Sequence, residues 1–181
     1  MCYRNGAFPM ADDYGRIDFY HSDPRAVLEL DSLHVSKSLA RVIRKETYEV
    51  YVDRDFEGVI RACADRERTW INAEIIESYV RLHEEGKAHS VEAYLEDQLV
   101  GGLYGVTLGG AFMGESMFSL SPDASKVCLY YLVEHLKERG FTLLDCQIQN
   151  DHLARLGAIE IPEDEYLRRL RRALNMEREF A

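Results

Sequence analysis

The sequence predicts a mixed α/β sheet, and the order of its elements is the reason. Strand-like stretches at 91–95, 98–107 and 112–118 follow one another with only turn residues between them. Next come the longest amphipathic stretch of the chain, 124–139, and another strand-like run, 141–147. Strands joined by turns pair antiparallel, while strand, helix and strand in succession make a parallel crossover, so one sheet must hold both kinds of pairing.

Each element has its own signal. Residues 1–22 precede a break at Ser22-Asp23-Pro24 and read as an incomplete N-terminal appendage, with 23–181 as the main domain. Ala26-Val27-Leu28-Glu29-Leu30 is extended in pattern. Ser36 is placed to cap a helix to Arg44 that carries Leu39, Val42 and Ile43 at helical spacing. Residues 48–53 alternate like a strand, and Asp55 can cap a helix bearing Phe56, Val59, Ile60 and Cys63. A third helix runs from about Ala73 to Glu85, and Gly86 stops it. Glu96-Asp97 is the turn between the first two of the paired strands. The 124–139 helix turns Val127, Leu129, Tyr130, Leu132, Val133 and Leu136 inward and ends at Gly140. A short turn at 152–156 leads to a closing helix from Pro162 or Glu163 to Leu174, where Pro162 suits the first helical position.

Composition limits the functions available. A chain of 181 residues with 46% hydrophobic and 30% charged residues builds one buried core. No apolar run reaches a membrane span, and the opening Met1-Cys2-Tyr3-Arg4-Asn5-Gly6 lacks a signal-peptide layout, so the expected location is cytoplasmic, with no membrane partner. Cys2, Cys63, Cys128 and Cys146 have no zinc-ligand spacing, so they read as free thiols and no metal site is expected. A net charge of −10 argues against non-specific nucleic-acid binding, and no DNA partner is expected. Contact with one RNA end through a local basic patch stays open. The candidates are Arg41, Arg44 and Lys45; Arg66 and Arg68; and Arg168, Arg169, Arg171 and Arg172, the last group balanced by Glu163, Asp164 and Glu165 as on a solvated helix face.

Two stretches carry chemistry. Gly109 to Ser125 sets Glu115 among Phe112, Met113, Met117 and Phe118, and Leu143-Leu144-Asp145-Cys146-Gln147 sets a second carboxylate behind an apolar run. A carboxylate stripped of hydration needs a cation or a strong hydrogen-bond donor to stay ionised, and such sites suit positively charged ligands. An internal pair of Glu115 with Lys126 is the competing reading. Strand alternation puts Asp145 and Gln147 on one face; equally, Asp145 can cap the turn that follows. His89 and His152 are acid–base candidates that more often serve as hydrogen-bonded structural residues.

Together with Trp70-Ile71-Asn72, His89-Ser90-Val91-Glu92, Gly101-Gly102-Leu103-Tyr104-Gly105 and Leu156-Gly157-Ala158-Ile159-Glu160-Ile161-Pro162, these stretches resemble the leucyl/phenylalanyl-tRNA–protein transferase family. The resemblance extends from Tyr3-Arg4-Asn5-Gly6-Ala7-Phe8-Pro9 to the helix of Tyr166. It implies an acetyltransferase-like (GNAT-like) core and transfer of Leu or Phe from a charged tRNA to acceptor proteins with N-terminal Arg or Lys, marking them for N-degron degradation. The family normally carries a further few tens of residues before the Tyr3 segment, so 1–22 reads as the remnant of a small N-terminal domain. It has Trp where this chain has Met10.

The resemblance implies that Asp145 and Gln147 are catalytic. Glu115 and Asn150 are the expected acceptor contacts. An apolar pocket for the donor side chain is implied for Leu103, Phe112, Met117, Leu129 and Leu144, though apolar strand residues are more often plain core. Trp70 and Tyr79 are candidates to stack on the terminal adenine of the tRNA. No cofactor is expected, because the aminoacyl ester is itself the activated partner. An α-amine with a pKa of about 7.7–8.0 is partly neutral near pH 7, so positioning should carry most of the rate.

Two other functions compete. An acyl-CoA-dependent N-acetyltransferase on the same core needs a glycine-rich pyrophosphate loop, and Ser119-Leu120-Ser121-Pro122-Asp123-Ala124 has no glycine and carries an acid. A non-catalytic binder of basic protein N-termini is the other.

Overall fold

In the computed structural model, which describes residues 2–181, a short 3₁₀ turn (Cys2–Asn5) leads into a hairpin of β1 (Phe8–Ala11) and β2 (Ile17–Tyr20). The main sheet then draws its strands from the rest of the chain: β3 (Arg25–Leu28), β4 (Glu49–Val52), β5 (Ala88–Leu95), β6 (Gln98–Leu108), β7 (Ala111–Ser119), β8 (Leu143–Gln147) and β9 (Ile159–Ile161). They lie in the order β4-β5-β6-β7-β8-β3-β9, antiparallel throughout except for the parallel pair β7 and β8. The mixed sheet is therefore the one expected. Its parallel step falls where the strand–helix–strand order put it, bridged by α4 (Ala124–Glu138).

Helices cover both faces. Helix α4 packs on β5, β6 and β7 with α1 (Lys37–Arg44) beside it, around Phe112, Leu129, Leu132, Leu136 and Leu144. On the other face α2 (Phe56–Ala64) and α3 (Ala73–Glu84) enclose Val59, Ile60, Ile75, Tyr104 and Met113, joined by α6 (Glu163–Leu174) through Tyr166 and Leu170. Helix α5 (Asp151–Arg155) is a single turn after β8. The caps Ser36 and Asp55 act as the sequence indicates, and Asn72 caps α3 as well: each side chain accepts from the backbone N–H three residues on. Pro162 instead stands just outside α6, in an extended conformation, its carbonyl accepting from Tyr166 N at 3.0 Å.

Three features had no sequence signal. Strands β1, β2 and β9, of three or four residues, are not singled out in the sequence. The first segment is tied to the body of the protein: Tyr3 and Phe8 are 3% exposed and belong to the core cluster of Val27 and Tyr166. Phe180 is also 3% exposed, its ring against Phe112, His89 and His135.

Two register irregularities, one on β7 and one on β8, lie near the middle of the sheet. Between β6 and β7, Gly105 faces Gly114 but Tyr104 faces Ser116, so Glu115 is the extra residue of a bulge. Between β3 and β8, Val27 faces Asp145 but Ala26 faces Gln147, which makes Cys146 the extra residue of a second. A bulge interrupts the alternation and re-aims the side chains around it. Gly105 makes the first one possible, because a Cβ there would lie 2.3 Å from the Met113 carbonyl oxygen and from the Phe112 ring.

Candidate active site

Strands β7 and β8 are paired only from Ala111↔Leu143 to Met113↔Asp145. Beyond Met113 the register ends and the two strands separate, each with its bulge just past or beside the last pair. A cavity of about 1000 Å³ opens there. Its apolar wall includes Leu103, Met117, Leu129 and Leu144; Glu115 and Gln147 supply polar groups; Trp70 and Met10 stand at another side.

Asp145 is fully buried and closely held. Arg25 donates to it through two nitrogens, Nε to Oδ1 at 2.9 Å and Nη2 to Oδ2 at 2.7 Å. Tyr166 Oη donates to Oδ2 at 2.8 Å, and the Gln147 backbone N–H donates to Oδ1 at 2.9 Å. Arg25 is itself 1% exposed, gives Nη1 to the Gly6 carbonyl at 2.8 Å, and lies between the rings of Phe8 and Tyr166, 4.8 and 4.4 Å from their centroids. A planar guanidinium suits all of these contacts at once, where a lysine ammonium does not. Burial works against the Arg25 charge, but its bonds to Asp145 outweigh that and keep it firmly protonated. Burial and the Asp145 charge together push the Tyr166 hydroxyl far up, so it remains a donor.

Gln147 has φ +56, a left-handed conformation that non-glycine residues seldom adopt. The bond from its own N–H to Asp145 holds that conformation in place, two residues along the chain. Asp145 therefore fixes the backbone from which the Gln147 side chain projects. The Gln147 Nε2 reaches Glu115 Oε1 at 3.5 Å, the outer limit of a hydrogen bond.

Among the described residues no cation is bonded to Glu115. Tyr3 Oη donates to Oε1 at 2.7 Å and Tyr79 Oη to Oε2 at 3.0 Å, and the two hydroxyls also touch each other. Loss of hydration pushes the Glu115 carboxyl up to about 7, against the lowering effect of the two hydroxyls; the Asp145 charge adds to the rise and Arg25 opposes it. Lys126, the alternative partner, bonds Asp123 at 2.7 Å instead. A carboxylate has about four lone-pair positions, so two tyrosines leave room for a further donor.

Most of the residues singled out in the sequence come together here. Leu103, Met117, Leu129, Leu144, Glu115, Gln147, Asn150 and Trp70 all line the cavity, while Asp145 lies behind Gln147. Asn150 also caps α5, its Oδ1 accepting from Leu153 N at 2.9 Å, which leaves its NH₂ free to donate to a ligand. Two placements need correction. Phe112 is wholly buried outside the cavity lining, because it sits where β7 and β8 are still paired and Phe180 packs against it, 5.3 Å between ring centroids. Tyr79 is 3% exposed, holding Glu115 and edge-on to Tyr104, so its ring offers no face to a base.

Sequence reasoning missed Arg25, Tyr166 and Tyr3. For Arg25 a signal existed: a lone charge beside the apolar run Ala26-Val27-Leu28, in a chain whose buried carboxylates need a cation. His89 bonds Asp53 and stacks on Phe180, away from the cavity. The four cysteines are free, and burial pushes the Cys146 thiol up to about 12, far from a reactive thiolate.

A family model described as leucyl/phenylalanyl-tRNA protein transferase matches residues 27–171. The chain is 68% identical over 181 residues to a Rubrobacter xylanophilus protein of that name, covering 99% of this chain and 95% of that one. A Gloeobacter violaceus protein of the same name is 55% identical, covering 99% and 94%. Among solved structures, L-PGS from Bacillus licheniformis is 20% identical with a TM-score of 0.47, over 75% of this chain and 50% of that one.

Proposed function

Because the chain belongs to the leucyl/phenylalanyl-tRNA protein transferase family, we propose that it moves Leu or Phe from the 3′ end of a charged tRNA to the α-amine of acceptor proteins that begin with Arg or Lys. The observation that carries this reading is one cavity holding both an apolar wall and a carboxylate that, among the described residues, has no bonded cation. The wall of Leu103, Met117, Leu129 and Leu144 takes the donor side chain; Glu115 takes the basic side chain of the acceptor, and the Asn150 NH₂ donates to a backbone carbonyl of the acceptor. Trp70 stacks on the terminal adenine. The product is a protein marked for N-degron degradation. Among the described residues no helix is long and apolar enough to cross a membrane, and the reaction is placed in the cytoplasm, where charged tRNA is found.

The chemistry demands little acid–base power. The amine attacks the ester carbonyl, the C–N bond forms as the C–O bond breaks, and the amine proton leaves with the ribose 3′ oxygen. Gln147 is the group positioned to orient the amine, and Asp145 holds Gln147 through its backbone N–H. Holding the two reactants together supplies effective molarities of up to about 10⁵–10⁸ M. Transfer of labelled Leu or Phe to peptides differing only in their first residue tests the reading, and equal rates for Arg, Ala and Asp starts would remove the proposed selectivity.

Glu115 gives the reaction a pH signature. With its carboxyl near 7, the site is half neutral at that pH in the free protein, and a cation binds the ionised form. The acceptor KM should therefore rise about tenfold per pH unit below 7. In Glu115→Gln the KM should be high and lose this slope, while the slope from the acceptor's own amine remains. A Glu115→Gln KM equal to that of the parent at pH 8 would take the residue out of recognition. The raised carboxyl also sets a sign for stability: between the ordinary value of 4.5 and about 7 the native state binds more protons than the unfolded one, so stability falls as pH rises. Glu115→Gln should remove that fall, read as a flatter urea midpoint between pH 5 and about 8.

Met117 tests the donor wall. Met117→Ala enlarges the cavity and should shift preference toward Phe over Leu, by a fold-change in the range of about 10–200 that pocket contacts of this kind command. The ratio of Phe to Leu transfer is the quantity to measure, because a folding defect cancels in it. A ratio unchanged in a folded, active variant makes Met117 ordinary core.

A further inference from the structure

Beside the large cavity lies a second, of about 410 Å³, whose polar lining is Lys126, Arg155, His34, His152 and the Ser36 cap of α1. Among the described residues no carboxylate lines it, although the chain carries a net charge of −10. Lys126 is neutralised in part by Asp123 at 2.7 Å. Arg155 is not: its Nε donates to the Asp151 backbone carbonyl at 2.9 Å, and among the described residues it has no carboxylate partner. The imidazole of His152 responds to this environment, held below its usual range by burial first and then by the Lys126 and Arg155 charges. His152 and Arg155 also line the large cavity, so the two spaces share a wall.

We infer that the smaller cavity holds a phosphodiester of the donor's single-stranded 3′ end, with Arg155 and Lys126 as its cationic contacts. The inference rests on the donor being a charged tRNA. Once the aminoacyl group is against Leu103 and Leu144 and its ester beside Gln147, the strand has to leave the large cavity with a negative charge on each linkage. His152 and Arg155 belong to both linings, and although Asp151 beside them lines the larger cavity, the smaller one presents cations with no carboxylate in its lining. The first N–H groups of α1 add a partial positive charge, since only Leu39 N is taken up by the Ser36 cap. An acidic stretch of the acceptor would find the same charges, but the acceptor's first residue is basic and belongs at Glu115.

Two donors separate the contributions: phenylalanyl-tRNA, which carries the phosphodiesters, and phenylalanyl-adenosine, which has none. Arg155→Gln should raise KM for phenylalanyl-tRNA about tenfold, as loss of a charged hydrogen bond does, and shift KM for phenylalanyl-adenosine much less. The slope of log KM against log salt should fall by about 0.7, the value for one contact to a single strand. Arg155→Lys should recover most of the affinity, and Lys126→Gln should act in the same direction. Binding of the uncharged trinucleotide cytidylyl-cytidylyl-adenosine should weaken in parallel, and inorganic phosphate should compete less well than that trinucleotide. Equal losses with both donors, an effect on the acceptor KM alone, or stronger competition by inorganic phosphate would each overturn the proposal. If the wild type transfers from neither donor, the reading of the function fails, and trinucleotide binding still decides the cavity.

Discussion

Arg25→Met is expected to lower folding stability by about 3–5 kcal/mol, the range for removing one partner of a buried ion pair. Arg25 and Asp145 are 1% and 0% exposed, and the variant leaves a carboxylate with no cation and no water. The Gln147 N–H and the Tyr166 hydroxyl still donate to it, which offsets part of the penalty but none of the charge. Urea unfolding measures the loss. An Arg25→Met protein as stable as its parent would mean that the tight geometry around Asp145 is not what holds the site.

Gln147→Ala is expected to lower kcat at saturating acceptor by about 10²–10³-fold, the usual effect of removing one well-placed hydrogen-bonding group from a reacting centre. Alanine keeps the left-handed strain of about 1–2 kcal/mol that glutamine already bears at φ +56. Gln147→Gly relieves it, since glycine adopts that conformation freely. Both variants lack the amide, so both should lose the same activity, while the glycine form should be the more stable of the two. If the glycine variant keeps its kcat, the side chain is dispensable and the bulge alone matters.

What is legible in the sequence divides along a physical line. The caps Ser36 and Asp55, the long α4 and the parallel step it imposes all register there, because each is a local pattern of three to fifteen residues. Glu115 is legible as a carboxylate among apolar neighbours, while Gln147 and four of the five pocket residues, which also line the cavity, are indicated by the family resemblance. Phe112 is misplaced because the sequence does not say where two paired strands part, and the parting after Met113 decides which strand side chains meet the cavity; Tyr79 is misplaced because helical spacing does not say that its hydroxyl is taken up by Glu115. Neither bulge leaves a pattern of its own. The pairing of Arg25 is hidden for a different reason: its partner is 120 residues away, and only the strand order brings them together.

That strand order also governs how the protein is made. β3 comes early in the chain yet is flanked on both sides by late strands, β8 and β9. A nascent chain that has emerged only as far as β7 can form the β4 to β7 meander and cradle Glu115 between Tyr3 and Tyr79. It has neither Asp145 nor Tyr166, so Arg25 has no carboxylate partner until β8 arrives. Non-local pairing of this kind delays folding, toward the range of milliseconds to seconds seen for such topologies. Gln147, proposed above to orient the acceptor amine, thus gains its Asp145 anchor only when β8 has joined β7 and β3, whereas the Glu115 bulge belongs to the earlier meander.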